Sequence, residues 1–216
     1  MLKLENITLR YGKSTVIDSL THEFAEGKVT VILGESGVGK TTLLNIASGL
    51  LSPSEGKVLR DREKISYIFQ EPRLFPWMTA LDNVSEVSDR DTAKKMLSLM
   101  GLEDSLDKYP AELSGGMKQR VSIARALAYN PDIIFLDEPF RGLDAERRQS
   151  VSDTVFELLR GKTAVMVTHD EADLGYADVV LKLSAAPESK LTQIKQKIKN
   201  GSVSLCILSG EFNFIT

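Results

Sequence analysis

Residues 2–11, LKLENITLRY, alternate apolar and polar side chains closely enough to predict a half-buried strand, and Gly12 ends the run. A second strand is predicted over residues 16–24, with Glu26 and Gly27 as the turn after it. On that strand His22 is expected to face solvent. Residues 29–33, VTVIL, read as a strand covered on both faces within a parallel sheet. They run into a glycine-rich loop and then an apolar helix from Thr41 to about Leu51, which Pro53 closes. Short strands are expected near residues 57–59 and 65–69.

From residue 71 to about 130 the spacing becomes helical. Over residues 92–100, Met96, Leu97 and Met100 share one face, and over residues 116–128 the buried face includes Val121, Ala124, Leu127 and Ala128. Alternation of strand and helix then returns, with strands at 133–136, 164–168 and 179–183, a helix at 144–160 and a short helix at 171–176. Buried strands alternating with helices imply an α/β fold with a parallel sheet, into which the helical stretch is inserted. The tail changes again. Leu191, Ile194 and Ile198 lie on one face of a possible short helix carrying four lysines, and residues 205–208 suit a terminal strand.

Composition narrows the function classes. The 216 residues are 42% hydrophobic and 26% charged, enough apolar material for a packed core, so a disordered chain and a disulfide-stapled miniprotein are excluded. The 27 basic and 30 acidic side chains sum to −3, which leaves no bulk electrostatic case for nucleic acid, though a local basic patch stays open. The single Cys206 can neither close an intrachain disulfide nor supply a cysteine zinc cage, which fits a reducing compartment. No apolar run approaches the ~20 residues that cross a bilayer. The opening MLKLE is not expected to begin a signal peptide.

The chemistry concentrates in three places. Residues 34–41, GESGVGKT, fulfil G-x-x-x-x-G-K-[ST] between a buried strand and an apolar helix. Gly34, Glu35, Ser36, Gly37, Val38 and Gly39 form a loop whose backbone N–H groups converge on phosphate oxygens, with the dipole of the following helix behind them. Lys40 would bridge the β- and γ-phosphates, the Thr41 hydroxyl would ligate magnesium, and Thr42 is a further expected nucleotide contact. Next, IIFLDE over residues 133–138 delivers two carboxylates at a strand end. In phosphate-loop proteins such a strand brings Asp137 to the magnesium, while Glu138 projects far enough to act on an attacking water as general base. Finally, Leu113-Ser114-Gly115-Gly116 opens a helix with a good N-cap and two glycines, a second helix start suited to an anion.

In order, the phosphate loop, Gln70, the Leu113 to Gly116 element, the 133–138 strand, Leu143-Asp144 and His169 resemble the ATP-binding subunit of an ABC transporter. The resemblance spans about residues 1–184 and implies a RecA-like P-loop NTPase core (1–70 and 131–184) with an antiparallel β subdomain. It implies a helical insert at 71–130 and leaves 185–216 as a tail of unknown role. It also implies a head-to-tail dimer, in which ATP on one chain's loop is covered by Ser114, Gly115 and Gly116 of the other. Tyr11 then stacks on adenine, Gln70 contacts magnesium or the attacking water, Asp144 crosses the interface, and His169 touches the γ-phosphate. Asp144 would look the same from sequence as a plain helix N-cap. Three departures stand out: Met117 in place of the commonest glutamine, Arg141-Gly142 in place of a smaller pair, and a shortened stretch from Gly56 to Gln70.

Residues 74–84, LFPWMTALDNV, are similar to the corresponding region of nitrate, sulfonate and taurine-type importer ATPases. The expected function is therefore an ATP hydrolase powering a bacterial importer, peripheral on the inner face of the cell membrane. Its cofactors are ATP and Mg²⁺. Its partners are a second copy of itself or a paralogous ATPase subunit, separate transmembrane permease subunits and, indirectly, an extracytoplasmic solute-binding protein. A soluble ABC-type ATPase acting on DNA or the ribosome is the alternative. It is disfavoured by the acidic charge balance and by the lack of a long coiled-coil insertion or a second fused cassette. A P-loop kinase or GTPase leaves Leu113 to Gly116 unexplained and lacks an Asn-Lys-x-Asp for guanine.

Overall fold

The computed structural model describes residues 1–62, 64–199 and 202–207. It divides into two compact units, Met1–Asp61 with Val165–Thr216, and Arg62–Ala164. The first unit begins with β1 (Leu2–Tyr11), β2 (Ser14–Phe24), β3 (Val29–Leu33), α1 (Lys40–Ser48) and β4 (Glu55–Arg60). β1 pairs antiparallel with β2 on one side and β4 on the other, placing Leu2 opposite Phe24 and Leu4 opposite Val58. Leu2, Leu4, Ile7, Leu9, Ile17, Leu20 and Phe24 are buried, each contributing about 1.5–3 kcal/mol of transfer free energy if fully removed from water.

Alternation in β1 breaks after Glu5, because Ile7, Thr8 and Leu9 are all buried. Asn6 and Ser19 both take φ of 51°, and the register slips between Leu4 and Ile7. Such a bulge re-phases the side chains that follow it. Polar groups close it: Asn6 N–H donates to Thr21 Oγ1 at 2.9 Å, and Ser19 N–H donates to the buried Thr8 Oγ1 at 3.0 Å. His22 departs from expectation. It shares the strand face of buried Phe24, two residues on, and packs edge-on against that ring at 4.8 Å. It is half-buried, and burial pushes its imidazole pKa down.

α1 stops earlier than expected. Gly49 takes the left-handed conformation (φ 84°) and its N–H donates to Ile46 O, so the helix ends at Ser48 before Leu51 is reached. A Cβ at Gly49 would also meet the Arg60 guanidinium at 2.8 Å.

The second unit holds β5 (Ile65–Ile68), α2 (Ala80–Ser85), α3 (Arg90–Leu99), α4 (Gly115–Ala128), β6 (Ile133–Asp137) and α5 (Ala145–Leu158). β5 and β6 run parallel, with Ile65 opposite Ile133 and Ile68 opposite Leu136. α2, α3 and α4 pack on one another through buried residues that include Leu81, Val84, Ala93, Leu97, Met100, Val121 and Ala124.

β7 (Thr163–Val167), buried throughout, returns the chain to the first unit, where β8 (Val179–Leu183) lies parallel to β3. There β9 (Leu191–Lys199) and β10 (Ser202–Ile207) follow, both antiparallel. The lysine-rich stretch is thus a strand and not a short helix. β8 offers it an unpaired backbone edge, with Leu183 opposite Leu191 and Val180 opposite Ile194. Leu191 and Ile194, three apart, would share a helix face but fall on opposite faces of a strand, with Ile194 buried and Leu191 half-buried. Leu205, Cys206 and Ile207 are in β10, and Leu208 lies outside the described residues.

Candidate functional site

In the first unit the phosphate loop joins β3 to α1. Gly39 is the N-cap of α1 at φ 103°, a left-handed geometry that favours glycine, and no side chain caps the helix. Space is tight there as well, since a Cβ on Gly39 would come within 3.1 Å of Val16 Cγ1 of β2. Lys40 Nζ lies across the loop, donating to Gly34 O at 2.8 Å and Glu35 O at 2.9 Å. Glu35, Ser36, Gly37 and Thr41 are exposed, and Gly34, Val38, Gly39, Lys40 and Thr42 half-buried. Tyr11, at the end of β1, leaves 57% of its surface exposed.

His169 belongs to the same unit and follows β7. Its side chain is exposed, but the backbone beside it is pinned. Buried Thr168 donates through Oγ1 to buried Asp173 Oδ2 at 2.6 Å and accepts from Asp170 N–H at 3.1 Å.

The second unit carries the acidic pair. β6 delivers Asp137 to its last position, 4% exposed. Glu138 leaves the strand at φ 45°, a left-handed turn unusual for a non-glycine residue. Gln70 Nε2 donates to Glu138 Oε2 at 3.3 Å, and Arg141 Nη1 lies 3.5 Å from the same oxygen. Gln70 and Glu138, each expected at the site, are therefore brought together directly. On β5, Tyr67 stacks on Phe69 at 4.3 Å and lies 6.2 Å from Phe135. Burial, reinforced by the negative charge of Asp137, pushes the Tyr67 hydroxyl well above its ordinary pKa.

Ser114 caps α4, its Oγ accepting from Met117 N–H at 3.3 Å. A Cβ on Gly115 would meet nothing within 4 Å, whereas one on Gly116 would meet Gly142 O at 3.2 Å. The α4 start and the loop before α5 are therefore neighbours on one surface. Asp144 ends that loop and caps α5, Oδ1 accepting from Arg147 N–H at 3.0 Å. Its local role is the plain N-cap.

Three residues organise the site without having been singled out from the sequence. Buried Gln119 of α4 donates to Pro139 O at 2.8 Å and Phe69 O at 3.4 Å, tying the helix to the segments that carry Glu138 and Gln70. Arg120, also buried, donates to Met100 O at 2.6 Å and Gly101 O at 2.9 Å, and desolvation holds its pKa below the ordinary arginine value. Its signal was available, because it shares the helical phase of buried Ile123 and Leu127. Asn83, fully buried in α2, accepts from Phe75 N–H and donates to the carbonyls of Phe75, Met78 and Thr79. That hub shapes the loop presenting Phe75, 39% exposed, and Trp77, 69% exposed, with ring centroids 5.7 Å apart.

Among the described residues, no group of three or more His, Cys, Asp or Glu side chains converges as a protein-only metal cage. The Thr41 hydroxyl in the first unit and the Asp137 carboxylate in the second are each hard oxygen donors, the type that suits magnesium.

Comparison with known proteins bears on the whole arrangement. Residues 17–141 match the ABC transporter family. The bicarbonate transport ATP-binding protein CmpD of Synechocystis is 37% identical, over 89% of this chain and 77% of that protein. The aliphatic sulfonates import ATP-binding protein SsuB of Yersinia pestis is 39% identical, over 83% of this chain and 71% of that one. Among solved structures, a dimeric post-hydrolysis state of the ATP-binding cassette MJ0796 bound to ADP and Pi is 32% identical with a TM-score of 0.80. That likeness covers 88% of this chain and 98% of the other.

Proposed function

The chain belongs to the ABC transporter family, and from that premise we propose that it is the ATP-hydrolysing subunit of a solute importer. The observation that carries the reading is the left-handed glycine N-cap of α1 with Lys40 laid across the loop before it. In this reading the loop binds the ATP phosphates and Lys40 exchanges its two carbonyl partners for phosphate oxygens. Thr41, Asp137 and Gln70 would hold Mg²⁺, which would neutralise charge on the phosphates. Tyr11 would stack on the base. Water attacks the γ-phosphorus, the bond to the bridging oxygen of ADP breaks, and Glu138 takes the water's proton while His169 steadies the γ-phosphate.

Ser114, Gly115, Gly116 and Asp144 would close over the ATP of a second copy. The exposed loop at Phe75 and Trp77 would meet a permease chain, and an extracytoplasmic solute-binding protein would supply the solute. No helix among the described residues is long and apolar enough to cross a membrane. The proposed site of action is the inner face of the cell membrane, beside the permease. The reported relatives are named for transport, which favours an importer over a DNA- or ribosome-directed ATPase.

The reading is tested by Glu138→Gln. Steady-state phosphate release should fall to background while an ATP-dependent dimer accumulates in size-exclusion chromatography. Undiminished release would remove Glu138 from the mechanism.

A further inference from the structure

The second unit holds a cavity of about 490 Å³ that the proposed mechanism does not use. One wall comes from the starts of strands: Lys64 precedes β5, Asn130 lies in the loop before β6, and Lys162 precedes β7. Backbone bonds tie these starts together, Asp132 N–H donating to Lys64 O at 2.9 Å and Thr163 N–H to Asp132 O at 3.2 Å. The other wall is α3, through Lys95 and Met96. Gln70 and Glu138 follow the opposite ends of β5 and β6, about 15 Å of strand away. The lining carries three ammonium groups against one carboxylate, Asp89. That carboxylate is committed to capping α3, Oδ1 accepting from the N–H groups of Asp91 at 3.1 Å and Thr92 at 2.8 Å. Lys162 is half-buried, and its Nζ donates to two neutral acceptors, Asn130 Oδ1 at 2.5 Å and Pro131 O at 3.0 Å. Burial lowers its pKa, and the charge of Lys64 lowers it further against the pull of Asp132. Between the lysines the surface is apolar, with Met96, Leu127 and the ring of Tyr129, whose centroid is 5.8 Å from Lys64 Nζ.

We propose that this cavity binds a small organic anion, a carboxylate, sulfonate or phosphate group joined to a compact apolar or aromatic body. Like charges gathered around a concave surface repel one another and focus a positive potential, and a bound anion relieves the first by using the second. Lys64 and Lys95 are exposed, so their flexible stems can close on a ligand, whereas Lys162 is already held in place. A bare inorganic anion would leave Met96, Leu127 and the Tyr129 ring uncovered, which is why an apolar body belongs to the assignment. The volume lies within the roughly 300–1,000 Å³ that small-molecule sites occupy. An occupant would bridge α3 to the strand starts and stabilise the folded chain by mass action.

The test titrates phenylacetate into the full chain, nucleotide-free and labelled at its methionine methyl groups, with the Met96 resonance assigned from Met96→Leu. That resonance should move saturably. Phenylacetamide, the same body without the charge, and sulfate, the charge without the body, should both bind more weakly. Lys64→Gln and Lys95→Gln alter exposed side chains and should each weaken phenylacetate binding about five-fold, the scale of one surface charge. Lys94→Gln, the neighbouring α3 lysine outside the lining, should bind like the parent. Equal binding of phenylacetamide overturns the anion assignment, and equal binding of sulfate overturns the apolar body. A Met96 resonance that does not saturate, or parent affinity in both Lys64→Gln and Lys95→Gln, overturns the site.

Discussion

His22 shows how one side chain's environment becomes a property of the whole chain. It lies on the face of Phe24 and burial lowers its pKa, whereas in the unfolded chain it titrates near the ordinary value of about 6.5. Between those two values the unfolded state binds more protons, so stability rises with pH there and is lost as pH falls below about 6.5. Denaturant midpoints for the parent chain should drop between about pH 7.5 and about pH 5.5, and His22→Gln should show a smaller drop. Equal drops in the two proteins would mean that His22 is not the group responsible. Lys40, Asp137 and Glu138 stand out as candidates because residue type and spacing alone single them out. Gln119 and Asn83 do not, since each acts through carbonyls supplied by segments distant in sequence or hidden in a loop.

At the scale of elements, the α4 start bears on stability and, in the proposed reading, on covering a second copy's ATP. Ser114 closes the first turn through Met117, while Gly115 leaves its surroundings open. Ser114→Ala should cost about 1 kcal/mol of stability in denaturant titration, the usual worth of an N-cap. Ser114→Arg should abolish the ATP-dependent dimer while ATP binding to the monomer, followed by fluorescence titration, stays close to normal. Retained dimerisation in Ser114→Arg would sink the covering role of this helix. Most elements were legible from period and punctuation: β3 and β8 were expected at residues 29–33 and 179–183, where they form. The tail strand β9 was not, because a three-residue apolar spacing fits a helix until β8 presents an edge to pair with.

For the whole molecule, the proposed composite site means that one chain alone should not turn over ATP. Turnover per chain should rise with protein concentration and level off as dimers form, read by phosphate release beside light scattering. A rate per chain independent of dilution down to fully monomeric protein would remove the composite site. By itself the sequence determined the motifs, their order and the α/β character, because backbone chemistry demands glycine at a phosphate loop and periodicity sorts buried from exposed faces. Only the tertiary structure decided that Gln70 and Arg141 converge on one oxygen of Glu138, that Gly116 lies against Gly142, and that the lysine-rich tail is a strand. Such arrangements depend on contacts between separate segments, and a linear pattern records each segment's preference but not the partner that meets it.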